Sequence, residues 1–199
     1  MRAAKLHTDI RQEQIVHAAL SVVASHGLQG LTVQRVARQL GLAPSAMYRH
    51  FRSKDEVLSA ILALIQTRLM GNVRAVCEEV ADPLERLERL LRRQLQLIRE
   101  TPAIPRLVFS EEVSHGHPER QAIVYRIIRG YLERVGDLMR QGQHAGCIRA
   151  DVTPDTLALL FLGLIQPPAF LWHISGGAFD ITAHTDQAWS VFREAIVAR

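Results

Sequence analysis

The chain has 199 residues, 48% of them hydrophobic, and carries 24 Lys and Arg against 20 Asp and Glu, so it can bury a sizeable core divided between two small domains. Cys77 and Cys147 are its only cysteines and lie far apart, and no charged-then-apolar leader opens the sequence; no disulfide is needed and a cytoplasmic protein is expected. The most apolar run, Leu157 to Ile165, has nine residues, well short of the roughly 20 a spanning helix requires, so no membrane partner is expected.

Ile15, Ala18, Ala19, Val22 and Val23 recur at helical spacing after a predicted Asp9 cap, and Gly27 closes this first helix. Before it, Arg2 and Lys5 lie in an arm expected to be a solvated tail, with a DNA minor groove as its functional alternative. Thr32 can cap a second helix whose Val33, Val36, Ala37 and Leu40 share one face. Gly41 can take the left-handed geometry that stops it, and Leu42 can staple the corner. Pro44 suits the first turn of a third helix, in which Met47 and Phe51 form the buried side while Ser45, Ala46, Tyr48 and Arg49 point outward. Ser53 and Glu56 then form a capping box ahead of Val57, Leu58, Ile61 and Leu62.

Two short helices around a glycine corner, the second presenting basic and aromatic side chains, have the layout of a DNA-reading helix-turn-helix. The order of helix, Gly27, Thr32-Val33, Val36-Ala37, Leu40-Gly41, Tyr48-Arg49-His50-Phe51 and Ser53-Lys54-Asp55-Glu56 resembles the DNA-binding domain of the TetR family of bacterial regulators over roughly residues 9 to 60. The resemblance implies that Thr32, Tyr48, His50 and Lys54 touch DNA phosphates and that Pro44, Ser45 and Arg49 approach base edges, with Arg35 and Ala43 in the same contact set. The chemistry agrees: hydroxyl, phenol, imidazole and ammonium all donate to phosphate oxygens, and Arg49 can pair with both guanine acceptors. Ala43 departs from the pattern, since many relatives place a serine there as both cap and phosphate donor. Taken singly, Tyr48 and Phe51 read as core aromatics and Arg49, Arg52 and Lys54 as a solvated face; the whole constellation at this spacing reads as DNA binding.

Charge points the same way independently of family. Residues 1 to 70 hold nine Lys and Arg against four acids, whereas the remaining 129 hold 15 basic and 16 acidic side chains. The positive excess therefore sits where a polyanion would dock.

Beyond Lys54 a helix is expected to run to about Val80. Asp82 caps the next, with Leu84, Leu87, Leu90, Leu91, Leu95 and Ile98 inward until Thr101-Pro102. A short helix from Ile104 to Glu112 leads to the polar turn Ser114 to Pro118. A long helix follows to Ala145, stopped by Gly146. Thr153-Pro154-Asp155 opens another, and a last runs from Asp186 to Ala198. The expectation is an all-α fold of about nine helices, with a helix-turn-helix domain at residues 1–53 and a helical effector-binding and dimerisation domain at 54–199, as the resemblance also implies. Pro167-Pro168 must break the chain near Gln166, either as a plain helix boundary or to open room beside Phe170, Trp172 and Phe179.

The resemblance further implies a homodimer paired through the last two helices, binding a palindromic double-stranded operator, and a small-molecule pocket in the second domain. Leu157, Leu159, Leu160, Phe161, Leu162, Leu164 and Ile165 cover most of a helix circumference, more than one core face needs; a second chain or complete burial within the monomer would each account for this. Pocket candidates are Arg106, Phe109, Glu112, Tyr125, Met139, Phe170, Trp172 and His173, suited to a largely hydrophobic effector whose binding tilts the fourth helix and releases DNA. Repression by occlusion is the simpler expectation. A second domain that holds a partner protein instead is the alternative. Glu111, Glu112, His115, His117 and Glu119 gather near one turn, but they lack the H-E-x-x-H spacing; no G-x-S-x-G elbow, phosphate loop or dinucleotide fingerprint occurs, so neither enzyme, metal nor cofactor is expected.

Overall fold

A computed structural model describes the backbone of residues 2–114 and 117–198 and the side chains of residues 10–111, 113 and 117–198. The described residues form eleven helical segments and no strand: α1 (Arg2–His26), α2 (Val33–Gln39), α3 (Pro44–Met47), α4 (Lys54–Glu79), α5 (Pro83–Glu100), α6 (Ala103–Val108), α7 (Glu111–Ser114), α8 (Pro118–His144), α9 (Pro154–Gly163), α10 (Gln166–Ile174) and α11 (Thr185–Ile196). Counting the four-residue α7 as a turn and α9 with α10 as one broken helix gives the expected nine. The contacts divide the chain into a first unit, Met1–Gln66 with Thr101–Gln121, and a second, Thr67–Glu100 with Ala122–Arg199.

In the first unit, Ile15, Ala19, Val22 and Val23 of α1 are buried, as are Val36 and Ala37 of α2, Met47, Phe51, and Val57, Leu58 and Ile61 of α4. The apolar periodicity therefore marks the packed faces, although Val33 and Leu40 at the two ends of the α2 face are only half-buried. The α1 start differs from expectation. The helix begins at Arg2, so Asp9 lies inside it and the arm is helical in its backbone; RAAKLHT contains good helix formers and neither Gly nor Pro to stop propagation. The side chains of Arg2, Lys5 and Asp9 lie outside the described residues.

The corner after α2 forms as its residues dictate. Thr32 Oγ1 accepts the Arg35 N–H at 3.1 Å, and Gly41 adopts φ +65°. The Leu42 N–H reaches the Ala37 carbonyl at 2.8 Å and the Gly41 N–H that of Arg38 at 3.1 Å, which satisfies two carbonyls the helix end would otherwise leave bare. Regular α3 is only four residues long; beyond it the His50 and Phe51 N–H groups both reach the Met47 carbonyl at 2.9 Å, continuing the segment as a turn. Ala43 gives α3 no side-chain cap, and Ser53 restarts the chain soon afterwards. The capping box also differs in one half. Ser53 Oγ accepts the Glu56 N–H at 3.2 Å, but Glu56 Oε2 takes the Arg52 N–H at 2.7 Å rather than that of Ser53.

In the second unit, Asp82 Oδ1 caps α5 through the Glu85 N–H at 2.7 Å. Leu87, Leu90, Leu91, Leu95 and Ile98 are buried, and Gln94 is buried among them at 1% exposure. Gly146 stops α8 at φ +72°, with the Cys147 and Ile148 N–H groups both reaching the Gly142 carbonyl. Thr153 caps α9. Pro167 and Pro168 fall in the first turn of α10, where a missing N–H costs nothing, so the double proline is a helix boundary. Apolar character continues across that boundary, beyond the nine-residue run: Pro154–Ile174, 21 residues, is long and apolar enough by composition to cross a membrane, though only as two helices broken at residues 164–165.

Helix α9 is two-sided. Leu157, Ala158 and Phe161 are buried, whereas Leu159 and Leu160 are 60% and 55% exposed, which excludes burial on all sides within the monomer.

Candidate nucleic-acid interface

The residues singled out between positions 32 and 54 lie on the α2–α3 corner and the start of α4. Thr32, Ala43, Pro44, Ser45, Tyr48 and Arg49 are exposed, and Arg35, His50 and Lys54 are half-buried. Met47 (0% exposed) and Phe51 (7%) anchor the segment from below, so Tyr48, an aromatic that would ordinarily seek burial, stands 50% exposed beside Arg49. Spacing produces this directly: positions 47 and 51 share a helical face, and 45, 48 and 49 fall on the other. His50 Nδ1 is buried without a partner, which leaves Nε2 as the nitrogen that can address a phosphate.

Arg35 has a different setting. Its Nη1 donates to the Gly30 carbonyl at 2.8 Å, holding the guanidinium against the α1–α2 loop. A Cβ on Gly30 would lie 2.3 Å from His26 Cβ and 2.7 Å from Arg35 Nη1, so only glycine admits that contact. Two acids near the interface are engaged locally. Glu56 holds the Arg52 N–H, and Asp55 Oδ1 accepts from Arg120 Nε at 3.0 Å and Nη2 at 2.6 Å. Gln34, Arg38 and Arg52 are also exposed on this stretch. The family pattern does not place them among the DNA contacts; only the basic excess of the N-terminal part points to the two arginines.

The eight pocket candidates are divided between the units. Arg106 and Phe109 are half-buried in the first. In the second, Met139 is fully buried, Trp172 and His173 are half-buried, and Tyr125 and Phe170 are exposed by 64% and 45%. The Glu112 side chain lies outside the described residues, as does His115 of the histidine and carboxylate cluster, and among the described residues no three such groups are placed to hold a metal. Two polar groups of the second unit escaped the sequence reading: Gln94, and Tyr131 at 4% exposure, whose phenol burial holds well above its ordinary pKa. The signal was a polar residue on an otherwise apolar stripe.

A glycine-cornered helix pair that buries one face and turns hydroxyl, phenol and guanidinium groups outward, followed by a larger helical unit, defines a helix-turn-helix DNA-binding regulator. Residues 15–61 match the family profile described as "Bacterial regulatory proteins, tetR family", and residues 80–196 match "Tetracyclin repressor-like, C-terminal domain". The chain belongs to the TetR family, whose members are DNA-binding transcriptional regulators. It is similar to the nucleoid occlusion factor SlmA of Vibrio campbellii, 21% identical over 187 residues, covering 94% of this chain and 95% of that protein. Among solved structures, the fatty acid degradation regulator FadR from Bacillus halodurans superposes with a TM-score of 0.82 at 20% identity, covering 92% of this chain and 94% of the other. FadR from Bacillus subtilis, in complex with stearoyl-CoA, gives 0.80 at 20% identity and covers 92% and 98%. These likenesses show the shared fold.

Proposed function

We propose that the protein is a repressor that binds a palindromic operator as a homodimer and is released when a small, largely hydrophobic effector enters its C-terminal part. The observation that carries the DNA half is the exposed set Thr32, Ser45, Tyr48 and Arg49 above buried Met47 and Phe51. Thr32, Tyr48, His50 and Lys54 address phosphates, and Arg49, with Pro44 and Ser45, reads base edges. The functional division falls near residue 53, where the recognition segment gives way to α4.

Dimerisation is supported by where the exposed apolar side chains lie. Leu159, Leu160, Phe170, Leu171, Ile174 and Val191, all on α9 to α11, are between 43% and 70% exposed. Surface of that kind is costly in water and is removed by a second copy, whose two-fold axis matches an inverted repeat. The effector reading is supported by the apolar interior of the second unit and by the likeness to a regulator that holds stearoyl-CoA. The protein would then act in the cytoplasm.

Selection of genomic fragments bound at near-physiological salt, followed by footprinting, tests this reading. The expected result is an inverted repeat with half-sites about one helical turn apart, bound by a species with the mass of two chains. Salt-sensitive binding without sequence preference would refute it.

A further inference from the structure

Three elements of the second unit bring polar side chains together inside an apolar interior. Gln94 of α5, 1% exposed, donates through Nε2 to the Leu69 carbonyl of α4 at 3.4 Å. Its Oε1 accepts from Asn72 Nδ2, also of α4, at 3.5 Å, and the same nitrogen lies 3.4 Å from the Arg93 carbonyl. All three bonds sit at the long limit for a hydrogen bond. Tyr131 of α8 is 4% exposed and lies close enough to this amide to be influenced by it, yet its buried Oη makes no bond of good hydrogen-bonding geometry. A buried hydroxyl with no partner opposes folding, and phenylalanine would fill the same space without that cost. Asn72, at the edge of this group, also lines an open surface depression of about 460 Å³ with Arg92, Arg93, Gln96, Leu97 and Glu100, which neither Gln94 nor Tyr131 lines.

We infer that Tyr131, with Gln94 and Asn72, forms the polar end of an effector site that takes an uncharged acceptor oxygen, a carbonyl or hydroxyl, carried on an apolar molecule. The inference rests on the effector reading above and specifies its chemistry. The Tyr131 O–H donates to the incoming oxygen, while Gln94, loosely held, shifts to offer its amide N–H. A charged head is excluded from this end. The buried polar side chains among the described residues are Gln94, Thr101, Thr185 and Tyr131, with no buried ionised group to compensate a carboxylate or an ammonium.

The test compares thermal melts of the full chain and its Tyr131→Phe variant, alone and titrated with 1-decanol, methyl decanoate, decanoate or decylammonium. Without additive the variant melts at or above wild type. The alcohol and the ester raise the wild-type Tm in a saturable way, the two ions do not, and the variant binds the neutral probes about five- to tenfold more weakly. Four outcomes overturn the inference: a variant melting clearly below wild type, which makes the hydroxyl structural; stabilisation by the ions as large as by the neutral probes; stabilisation by none of the four; or equal affinity in both proteins. Saturable neutral binding that leaves the operator complex intact would refute the effector reading and leave the site standing.

Discussion

Ala43 offers the sharpest separation of folding from DNA contact. It occupies the N-cap of α3 with φ −68° and ψ 141°, the extended geometry a cap requires, and makes no side-chain cap bond. Pro44 has no N–H, and the Ala46 N–H reaches the Ala43 carbonyl at 2.9 Å, so the Ser45 N–H is the group a hydroxyl at position 43 would take. The residue is exposed, and serine enters without a clash. Ala43→Ser should stabilise the protein by about 1 kcal/mol, the usual worth of an N-cap. For a chain of this size that is a rise of about 2–4 °C in Tm. If position 43 faces a phosphate, the same hydroxyl adds a hydrogen bond to a charged group, and operator affinity rises about tenfold per recognition segment with an unchanged salt slope. Ala43→Asp isolates the two effects. It caps as well as serine and raises Tm similarly, but it sets a carboxylate against the DNA backbone and lowers affinity. The assays are calorimetry and equilibrium binding across a salt series. A serine variant with no gain in Tm would refute the capping argument, and an aspartate variant that binds DNA as tightly as the serine one would remove position 43 from the phosphate contacts.

Gly30→Ala must displace His26 or the Arg35 guanidinium, given approaches of 2.3 and 2.7 Å, and should cost about 1–3 kcal/mol by melting. A Cβ at position 41 would meet nothing within 4 Å, so the loss in Gly41→Ala, about 1 kcal/mol, comes from φ +65° alone, and Gly41→Asn should lose less. Lys54→Ala should weaken binding to all sequences and lower the salt slope by about 0.9, while Arg49→Ala should mainly relax base preference; equal loss of preference from both would sink the division of roles. Burial raises the Tyr131 pKa above its unfolded value, so the associated stability is fully present below about pH 10 and lost as pH climbs beyond it. Tyr131→Phe should flatten that alkaline decline in urea titrations.

Where a residue's task is completed within five positions of itself and one partner alone is within reach, the sequence is enough. Thr32 capping Arg35, Gly41 closing on Ala37 and Arg38, Asp82 capping Glu85 and Gly146 ending α8 are each local exchanges of donors and acceptors, and each formed as read. The departures have a different origin. Glu56 had two neighbouring N–H groups within reach and took that of Arg52, a choice the letters leave open. Asp9 reads as a cap only if the helix stops there, and nothing upstream stops it. Leu159 and Leu160 look the same in sequence as Leu157 and Phe161; which pair faces water depends on where α9 lies in its unit. Gln94 and Tyr131 are the extreme case. Each reads as an isolated polar residue on an apolar helix face, a blemish too common to signify anything, and they are 37 positions apart. Only the packing of α5 and α8 sets one polar group beside the other, and only that juxtaposition turns two unremarkable letters into a buried polar pair whose hydroxyl makes no bond of good geometry.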